Sequence, residues 1–455
     1  MSSVVPSTVA TPAALRELLE LADSGQLERL PDLVGDMHPS DIADLLASVP
    51  DEERQLLILK ALPTDVGSET LAEMEEDEDR ADLLTALSAR RGAAMLHELA
   101  DDDAADLLGE LRPGDRDRML AALPSREAGE IRELLQYAEE TAGGLMTTSL
   151  VSVSALATAA EAIAAIREQG REVEQLYTVF VVDDRGRLRG TVALDRLILA
   201  EPEDKVGSLV VPALATVGPE TDQEEVGRVM RRYDLVSLPV VDDRGVLLGR
   251  ITVDDAIDAI EAETTEDILR LAGVSEEEEL KAEWLESVRS RLPWLALNLV
   301  TAGLAASVIL SFEELIREVT FLAFLMPVIA ALGGNTGTQA LAVTIRRIAV
   351  GDDVGRGHFQ VVRKEVLVGL LNGLVLGVGF AAFAYLREGD PRIGMVVLLA
   401  MWINIVVAGF AGALIPTILQ RVGVDPAVAS SVFAHTLTDL VGFVLVLSLA
   451  AGLLL

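Results

Sequence analysis

Residues 431–455 read SVFAHTLTDLVGFVLVLSLAAGLLL, and this stretch indicates the class of fold. It is long and apolar enough to cross a bilayer core of about 30 Å as an α-helix. Asp439 nevertheless lies inside it. An ionised carboxylate at the bilayer centre costs about 3 kcal/mol on insertion scales, and intramembrane acids mark ion paths by default. The stretch therefore predicts a membrane helix with a functional acid.

Similar apolar segments precede this one, separated by short polar stretches. The sequence predicts five membrane helices, at about 292–312, 320–345, 365–386, 393–419 and 427–454. Because no leader peptide is evident, we expect the N-terminus in the cytoplasm and the C-terminus outside. Nine Lys and Arg residues in the segments predicted inside, against three outside, support this orientation. Five helices make a thin bundle, so a homodimer with the pore on its axis is the simplest assembly.

Acidic charge is concentrated before the membrane segments. Residues 1–287 hold 63 Asp and Glu against 26 Lys and Arg, whereas residues 288–455 hold 10 against 11. Such self-repulsion indicates bound counter-cations, although an acid-rich proteome would produce the same excess. It disfavours nucleic-acid binding, which needs clustered basic residues. The chain has no Cys, which excludes disulfides and Cys-based zinc sites.

The candidate ion-path residues lie on the fifth and second apolar segments. Ser431, His435 and Asp439 are spaced by four residues and share one helix face. In a dimer, two Asp439 carboxylates would form a ring that selects cations. The alternative is a structural role, with Asp439 bridging a neighbouring helix or pairing with His435. His435 itself fits an interior histidine equally well.

The second segment contains GGNTGTQ at 333–339, after Pro327. Its oxygens, including that of Asn335, can hydrogen-bond a hydrated cation, while ordinary glycine packing is the alternative. Mg²⁺ keeps several waters and needs few carboxylates, which suits one acid per chain. The scarcity of His argues against soft metals but leaves Co²⁺, Mn²⁺ and Ca²⁺ open.

An internal repeat lies in residues 141–256. LYTVFVVDDRGRLRGTVALDRL at 176–197 recurs at 235–256 as LVSLPVVDDRGVLLGRITVDDA, an offset of 59 residues. The pattern predicts two strand–turn–strand–helix units, at about 141–205 and 206–256, in one α/β module. It resembles a tandem pair of CBS domains, which implies binding of ATP or another adenine nucleotide. Thr252 and Asp255 of the second repeat are the candidate contacts.

The remaining soluble segments are helical in pattern. Residues 1–140 alternate short amphipathic stretches with prolines and predict an all-α, acidic, superhelical domain. Residues 257–287 predict an acidic connecting helix and linker before the membrane domain at 288–455. Its position between sensor and pore favours a gating role over a merely solvated helix face.

In this order the features resemble the MgtE family of magnesium channels over nearly the whole chain. TAGGLMT at 141–147, AETTEDI at 262–268 and VGVDPA at 422–427 add to GGNTGTQ and HTLTD. The resemblance implies a homodimeric plasma-membrane channel for Mg²⁺ uptake, with the pore ion near Asp439. It also implies that bound Mg²⁺ closes the pore, at sites drawn from Asp102, Asp106, Asp255, Asp258, Glu263, Glu266, Asp267 and Asp425.

His435 and Ser431 depart from the family pattern, in which a small residue and Asn are more usual. A histidine beside the pore acid would narrow selectivity, make conduction pH-dependent or favour a metal with greater nitrogen affinity. A transporter of Co²⁺ or Mn²⁺, or a membrane-anchored metal or nucleotide sensor without transport, are the alternatives. The sequence shows no nucleophile–base pair, P-loop or metalloprotease motif, so we do not expect an enzyme.

Overall fold

The computed structural model contains two compact units, residues 1–260 and residues 261–455. It describes residues 12–35, 37–74, 78–170, 173, 175–272, 274, 284–349, 357–422, 426 and 430–454. The predicted fold class is confirmed: an all-α N-terminal region precedes an α/β repeat, and long apolar helices follow.

Short helices make up the N-terminal region. Pro39 and Pro113 stand in the first turns of two of them, where the fixed φ of proline favours helix initiation. The helices are α1 Pro12–Ser24, α2 Leu30–Val34, α3 Pro39–Ala47, α4 Glu52–Ala61, α5 Thr64–Ala72, α6 Glu78–Ala86, α7 Ala89–Leu96, α8 Asp101–Gly109, α9 Pro113–Leu120 and α10 Glu127–Leu134.

The α/β region contains two small sheets. Its elements are β1 Ser152–Ser154, α11 Ala159–Gln169, β2 Thr178–Val182, β3 Leu188–Ala193, α12 Leu194–Leu199, α13 Val206–Leu209, α14 Gln223–Tyr233, β4 Ser237–Val241 and β5 Leu247–Thr252. In the first sheet, β1 pairs with β2 in parallel and β2 pairs with β3 antiparallel, whereas β4 and β5 form an antiparallel pair.

The two hairpins repeat one another residue for residue. Thr178 pairs with Ala193 in the first and Ser237 with Thr252 in the second, which reproduces the sequence offset of 59. Each turn is closed by its first aspartate, which accepts backbone N–H bonds from two residues of the turn. Gly186 and Gly245 take φ values of +75° and +76°, which favour glycine. Asp-Asp-Arg-Gly is therefore a turn signature in this chain.

The hydrophobic core of this unit is divided unevenly between the two repeats. The second repeat shares one core with the N-terminal helices, to which it contributes Val226, Leu238 and Ile251. The first repeat has a separate core around Val179 and Val181. The second repeat is thus the one that packs as a single body with the N-terminal helices.

Long helices dominate the rest of the chain. Five of those in its described part are long and apolar enough to span a membrane: 287–310, 321–348, 359–388, 391–422 and 432–454. The helices are α15 Val253–Ala272, α16 Trp284–Leu310, α17 Glu313–Glu318, α18 Phe321–Ala349, α19 Gly357–Glu388, α20 Pro391–Val422 and α21 Ser430–Leu454.

Helix α20 is the most enclosed of the five membrane helices, and α16 is the most exposed. Glycines bring α19 close to α20. A Cβ added at Gly369 or Gly373 would lie 3.0 Å from a backbone oxygen of α20, and one at Gly377 would lie 3.2 Å from another. This spacing of four residues is the small-residue pattern that lets membrane helices approach closely.

Candidate functional site

The acid predicted to mark the ion path lies within α21. The Asp439 side chain is half-buried, and His435, one turn earlier, is exposed in the single chain. The two side chains interact electrostatically, as their four-residue spacing on one face predicts. Ser431 is in the first turn of α21, and its side chain lies outside the described part of the structure.

The glycine-rich stretch of α18 packs against the helices that carry these residues. A Cβ at Gly334 would lie 2.9 Å from His435 Cδ2, and one at Gly333 would lie 2.4 Å from Asn404 Nδ2. Gly333, Gly334 and Gly337 are buried, whereas Asn335 is exposed. Close packing therefore occupies the glycines, and Asn335 is left on the surface of the single chain.

Asn404 is a polar residue within the fourth apolar segment, where the sequence alone makes it only a weak candidate for the ion path. It is fully buried on α20, and its Nδ2 donates to the Ile329 carbonyl of α18 at 3.2 Å. Its Oδ1 has no hydrogen-bond partner among the described residues. Gly442 of α21 also borders it, since a Cβ there would lie 3.1 Å from Nδ2. Asn404 thus joins three helices.

A second site lies where α8 meets the start of α15. Asp102 of α8 and Asp255 of α15, hereafter the acid pair, lie close enough for their charges to interact. Asp102 is only 7% exposed, and its Oδ1 has no partner among the described residues. Burial raises the pKa of Asp102 well above its usual range, and Asp255 raises it further. Burial also raises the pKa of Asp255 to about 6.

Within the acid pair, Asp102 has an oxygen available to a hard cation, whereas Asp255 is held by hydrogen bonds. Thr252 donates both its hydroxyl and its backbone N–H to Asp255. The free, buried Oδ1 of Asp102 is the kind of ligand that Mg²⁺ prefers. The raised pKa values mean that two charges are costly here without a counter-ion. The chemistry of the pair therefore fits a bound divalent cation.

Asp101 has a structural role beside the acid pair that the sequence did not reveal. Its carboxylate accepts the hydroxyls of Thr147 and Thr148, and the Thr148 backbone N–H at 3.0 Å. These bonds tie the first residue of α8 to the start of the first repeat. Asp102 and Asp103, which follow it, are the same residue type and differ from it only in their surroundings in the fold. The local sequence therefore does not distinguish Asp101 from them.

The other predicted regulatory acids are distributed along α8 and α15. Asp106 follows Asp102 by one turn of α8, and Asp258 is exposed one turn after Asp255. Glu266 forms an ion pair with Arg270. Burial raises the pKa of Asp267, and Arg270 offsets part of that rise. Glu263 is half-buried.

The other predicted metal ligands are not gathered into one cluster within the described part of the chain. Asp425 lies outside the described residues. Among the side chains that are described, no group of three or more His, Asp or Glu converges on one point. Among the predicted regulatory acids that the structure describes in the first unit, Asp102 and Asp255 lie close together, and the charge of Asp258 also acts on Asp255.

The candidate nucleotide contacts of the second repeat lie at the acid pair. Thr252 and Asp255 hydrogen-bond to one another, and Asp255 belongs to the acid pair. Gly249, which precedes them, is required for packing, because a Cβ there would lie 2.7 Å from the Thr147 carbonyl oxygen. The threonine and aspartate are thus already engaged within the protein.

Sequence models of known families match three parts of the chain. The MgtE model, described as a divalent cation transporter, matches residues 326–449. The model of the MgtE intracellular N domain matches residues 37–140. The CBS domain model matches twice, at residues 142–203 and 206–262. Together the matches follow the predicted order of helical, paired-repeat and membrane regions.

Individual proteins agree with these matches. The magnesium transporter MgtE of Thermus thermophilus is 36% identical over 446 residues, covering 96% of this chain and 98% of the relative. That of Enterococcus faecalis is 35% identical, covering 95% and 96%. A solved cytosolic domain of the Mg²⁺ channel MgtE in complex with ATP is 35% identical, with a TM-score of 0.50, covering 54% of this chain and 98% of that structure. The resemblance seen in the motifs is confirmed, and the chain belongs to the MgtE family.

Proposed function

We propose that the chain is a Mg²⁺ channel or transporter that mediates Mg²⁺ uptake across the plasma membrane. The observation that carries the proposal is Asp439, a half-buried carboxylate inside an otherwise apolar membrane helix. Intramembrane acids are retained for ion paths far more often than for packing. The full-length relatives named as magnesium transporters support Mg²⁺ as the ion.

The ion path is proposed to run along the face of α21 that carries Ser431, His435 and Asp439, with Asn335 of α18 beside it. His435 and Asn335 are polar and exposed on the single chain, within segments that would otherwise meet lipid. A second copy of the chain would cover them and enclose a water-filled path. This supports a homodimer with the pore on its two-fold axis.

Regulation is proposed to act through Mg²⁺ held by cytoplasmic acids. The acid pair would bind one ion, and the other sites would use Asp106, Asp258, Glu263, Glu266, Asp267 and Asp425. Binding would draw acidic surfaces together and close the pore, and loss of Mg²⁺ would restore repulsion and open it. The buried, unpartnered Oδ1 of Asp102 supports the first of these sites.

An adenine nucleotide is proposed to bind the CBS pair. The support is the related cytosolic domain that was solved in complex with ATP. Thr252 and Asp255 remain the candidate contacts, and any nucleotide that uses Asp255 would compete with the metal for that carboxylate.

We also propose the orientation and division of the chain that the sequence predicts. The N-terminus and the acidic regions would be cytoplasmic, and the C-terminus would be outside. The domains would be 1–140, 141–256, 257–287 and 288–455.

The test is Mg²⁺ flux into proteoliposomes containing the native protein or Asp439→Ala. Asp390→Ala, which removes an acid at the start of α20 that pairs with Arg392, is the matched control. We expect flux in the native protein and the control and its loss in Asp439→Ala. Undiminished flux in Asp439→Ala would place the ion path elsewhere, and no flux of Mg²⁺, Co²⁺ or Mn²⁺ in the native protein would favour a sensor.

Gating is tested by recording currents at high cytoplasmic Mg²⁺ after Glu263, Glu266 and Asp267 are neutralised together. On the proposal, the variant stays open at Mg²⁺ concentrations that close the native channel. Closure of the variant at the same concentration as the native protein would refute a role for these acids.

A further inference from the structure

A buried cation lies next to the acid pair. Arg250, on β5, is only 4% exposed. Its Nε donates to the Ser149 carbonyl oxygen at 2.9 Å. Its backbone exchanges two hydrogen bonds with Thr147, both of 2.9 Å. The guanidinium is therefore fixed in place by the segment that also holds Asp101.

The acids around Arg250 come from two different helices. Its charge interacts most strongly with Asp102 and then with Asp255, Asp254 and Asp101. Burial lowers the pKa of Arg250, and these four carboxylates oppose that effect. A buried guanidinium is tolerated when such partners surround it. One arginine thus faces acids of both α8 and α15.

The fold of the strand does not require an arginine at this position. Residue 191 of β3 corresponds to Arg250 under the offset of 59, and it is Thr. Thr191 exchanges two backbone hydrogen bonds with Val211, both of 2.9 Å, in the same way that Arg250 does with Thr147. The backbone role is shared between the repeats, and the positive charge belongs to the second repeat alone.

We propose that Arg250 is a built-in counter-cation of the acid pair, and that it raises the Mg²⁺ concentration at which the pair is occupied. The inference rests on the proposed regulatory role of that pair. Arg250 has the same sign of charge as Mg²⁺, so it opposes metal binding while it stabilises the metal-free contact between α8 and α15. It therefore affects the metal-free and metal-bound states in opposite directions.

The size of the effect follows from Coulomb's law. A unit charge facing a divalent ion across several ångströms, in a partly screened protein environment, changes metal affinity by about tenfold or more. Removing the arginine should therefore lower the half-saturating Mg²⁺ concentration by about tenfold. It should also loosen the metal-free contact, because the acids lose their counter-charge.

The experiment follows amide hydrogen exchange of α8 in the full-length protein during a Mg²⁺ titration at constant ionic strength. Arg250→Gln removes the charge and keeps a donor, and Arg250→Thr introduces the residue that the first repeat tolerates. Arg250→Lys keeps the charge, and Arg244→Gln removes an exposed arginine from the turn of the same hairpin. Exchange in β2 and β3 reports whether each variant is folded.

Both charge-removing variants should exchange faster than the native protein without Mg²⁺ and reach half-protection at about one tenth of the native Mg²⁺ concentration. The Lys variant and the Arg244 control should resemble the native protein. An unchanged or raised midpoint in both charge-removing variants would overturn the role of Arg250 alone. A Lys variant shifted as far as Gln would also overturn it, because charge would not be the cause. If the native α8 gains no protection from Mg²⁺, the proposed regulatory site fails as well.

Discussion

Replacing Asp102 with Asn should stabilise the metal-free contact between α8 and α15, although it removes a proposed metal ligand. Asp102 is buried, one of its oxygens has no partner among the described residues, and the Asp255 carboxylate is close by. Asn has nearly the same shape, carries no charge and brings an N–H donor that can face Asp255. The substitution therefore removes a desolvated charge without opening a cavity, and Arg250 keeps the carboxylates of Asp255, Asp254 and Asp101 as opposing charges.

The size of the gain can be bounded from the partner acid. Burial, and then the charge of Asp254, raise the pKa of Asp255 from 3.8 to about 6. A rise of that size means that the charged form of Asp255 is destabilised by about 3 kcal/mol. Asp102 is the more buried partner, and the substitution removes only the part of the free-energy cost that comes from the charge of Asp102. We expect a gain of about 1–3 kcal/mol, which is roughly five- to 150-fold in an equilibrium constant.

The assay is amide hydrogen exchange of α8 in the full-length protein at pH 7, with chelator and then with saturating Mg²⁺. In chelator, Asp102→Asn should exchange more slowly than the native protein by the factor above. Mg²⁺ should slow exchange in the native protein and have much less effect in the variant. Asp82→Asn, which removes an exposed acid of α6, should change neither measurement. Faster exchange in metal-free Asp102→Asn would refute the reasoning, because it would show that the carboxylate stabilises the contact.

Three further predictions concern pH and the membrane helices. The raised pKa values of the acid pair mean that the folded state holds protons more tightly than the unfolded state. The metal-free contact should therefore strengthen as the pH falls from 7 towards 5. The measurement is amide exchange of α8, which should slow after correction for intrinsic rates. Mg²⁺ should remove this dependence. Gly412→Ala would put a Cβ 2.4 Å from the Gly337 carbonyl oxygen, whereas the Cβ of Gly379→Ala would meet nothing within 4 Å. Only Gly412→Ala should therefore lower the thermal unfolding temperature in detergent. Asn404→Ala should cost about 1 kcal/mol of stability through the lost bond to the Ile329 carbonyl oxygen, seen in the same melts.

The repeat was predictable because its signals are local. Alternating apolar residues and an Asp-Asp-Arg-Gly turn specify each hairpin within about twenty residues, and both hairpins adopt the same register. The acid pair was not predictable in that way. Asp102 and Asp255 are far apart in the chain, and no periodicity relates α8 to α15. The family resemblance placed both among the regulatory acids but did not predict that these two would lie together.

The membrane helices were predictable in number but not in their ends. The predicted second segment stops before Arg346 and Arg347, yet α18 continues through Ala349, and α19 begins before Arg363 and Lys364. Hydropathy falls at charged residues, whereas the backbone hydrogen bonds of a helix continue past them. The role of Asn404 was also missed, because the sequence shows a polar residue in a span without showing that glycines on two other helices leave room for it.

The two proposed ion sites both contain carboxylates away from bulk water, but they differ in the positive charge that lies beside those carboxylates. Asp439 lies within a membrane helix and the acid pair is largely buried, so in each case a bound divalent cation would offset the cost of placing carboxylates away from bulk water. The acid pair already has Arg250 beside it, whereas the charge that interacts with Asp439 among the described residues comes from His435, which is positive only when protonated. A site with its own permanent counter-cation binds Mg²⁺ more weakly than the same acids would alone. On the proposed mechanism, this keeps the regulatory pair empty at low Mg²⁺, so that uptake continues until the ion is abundant.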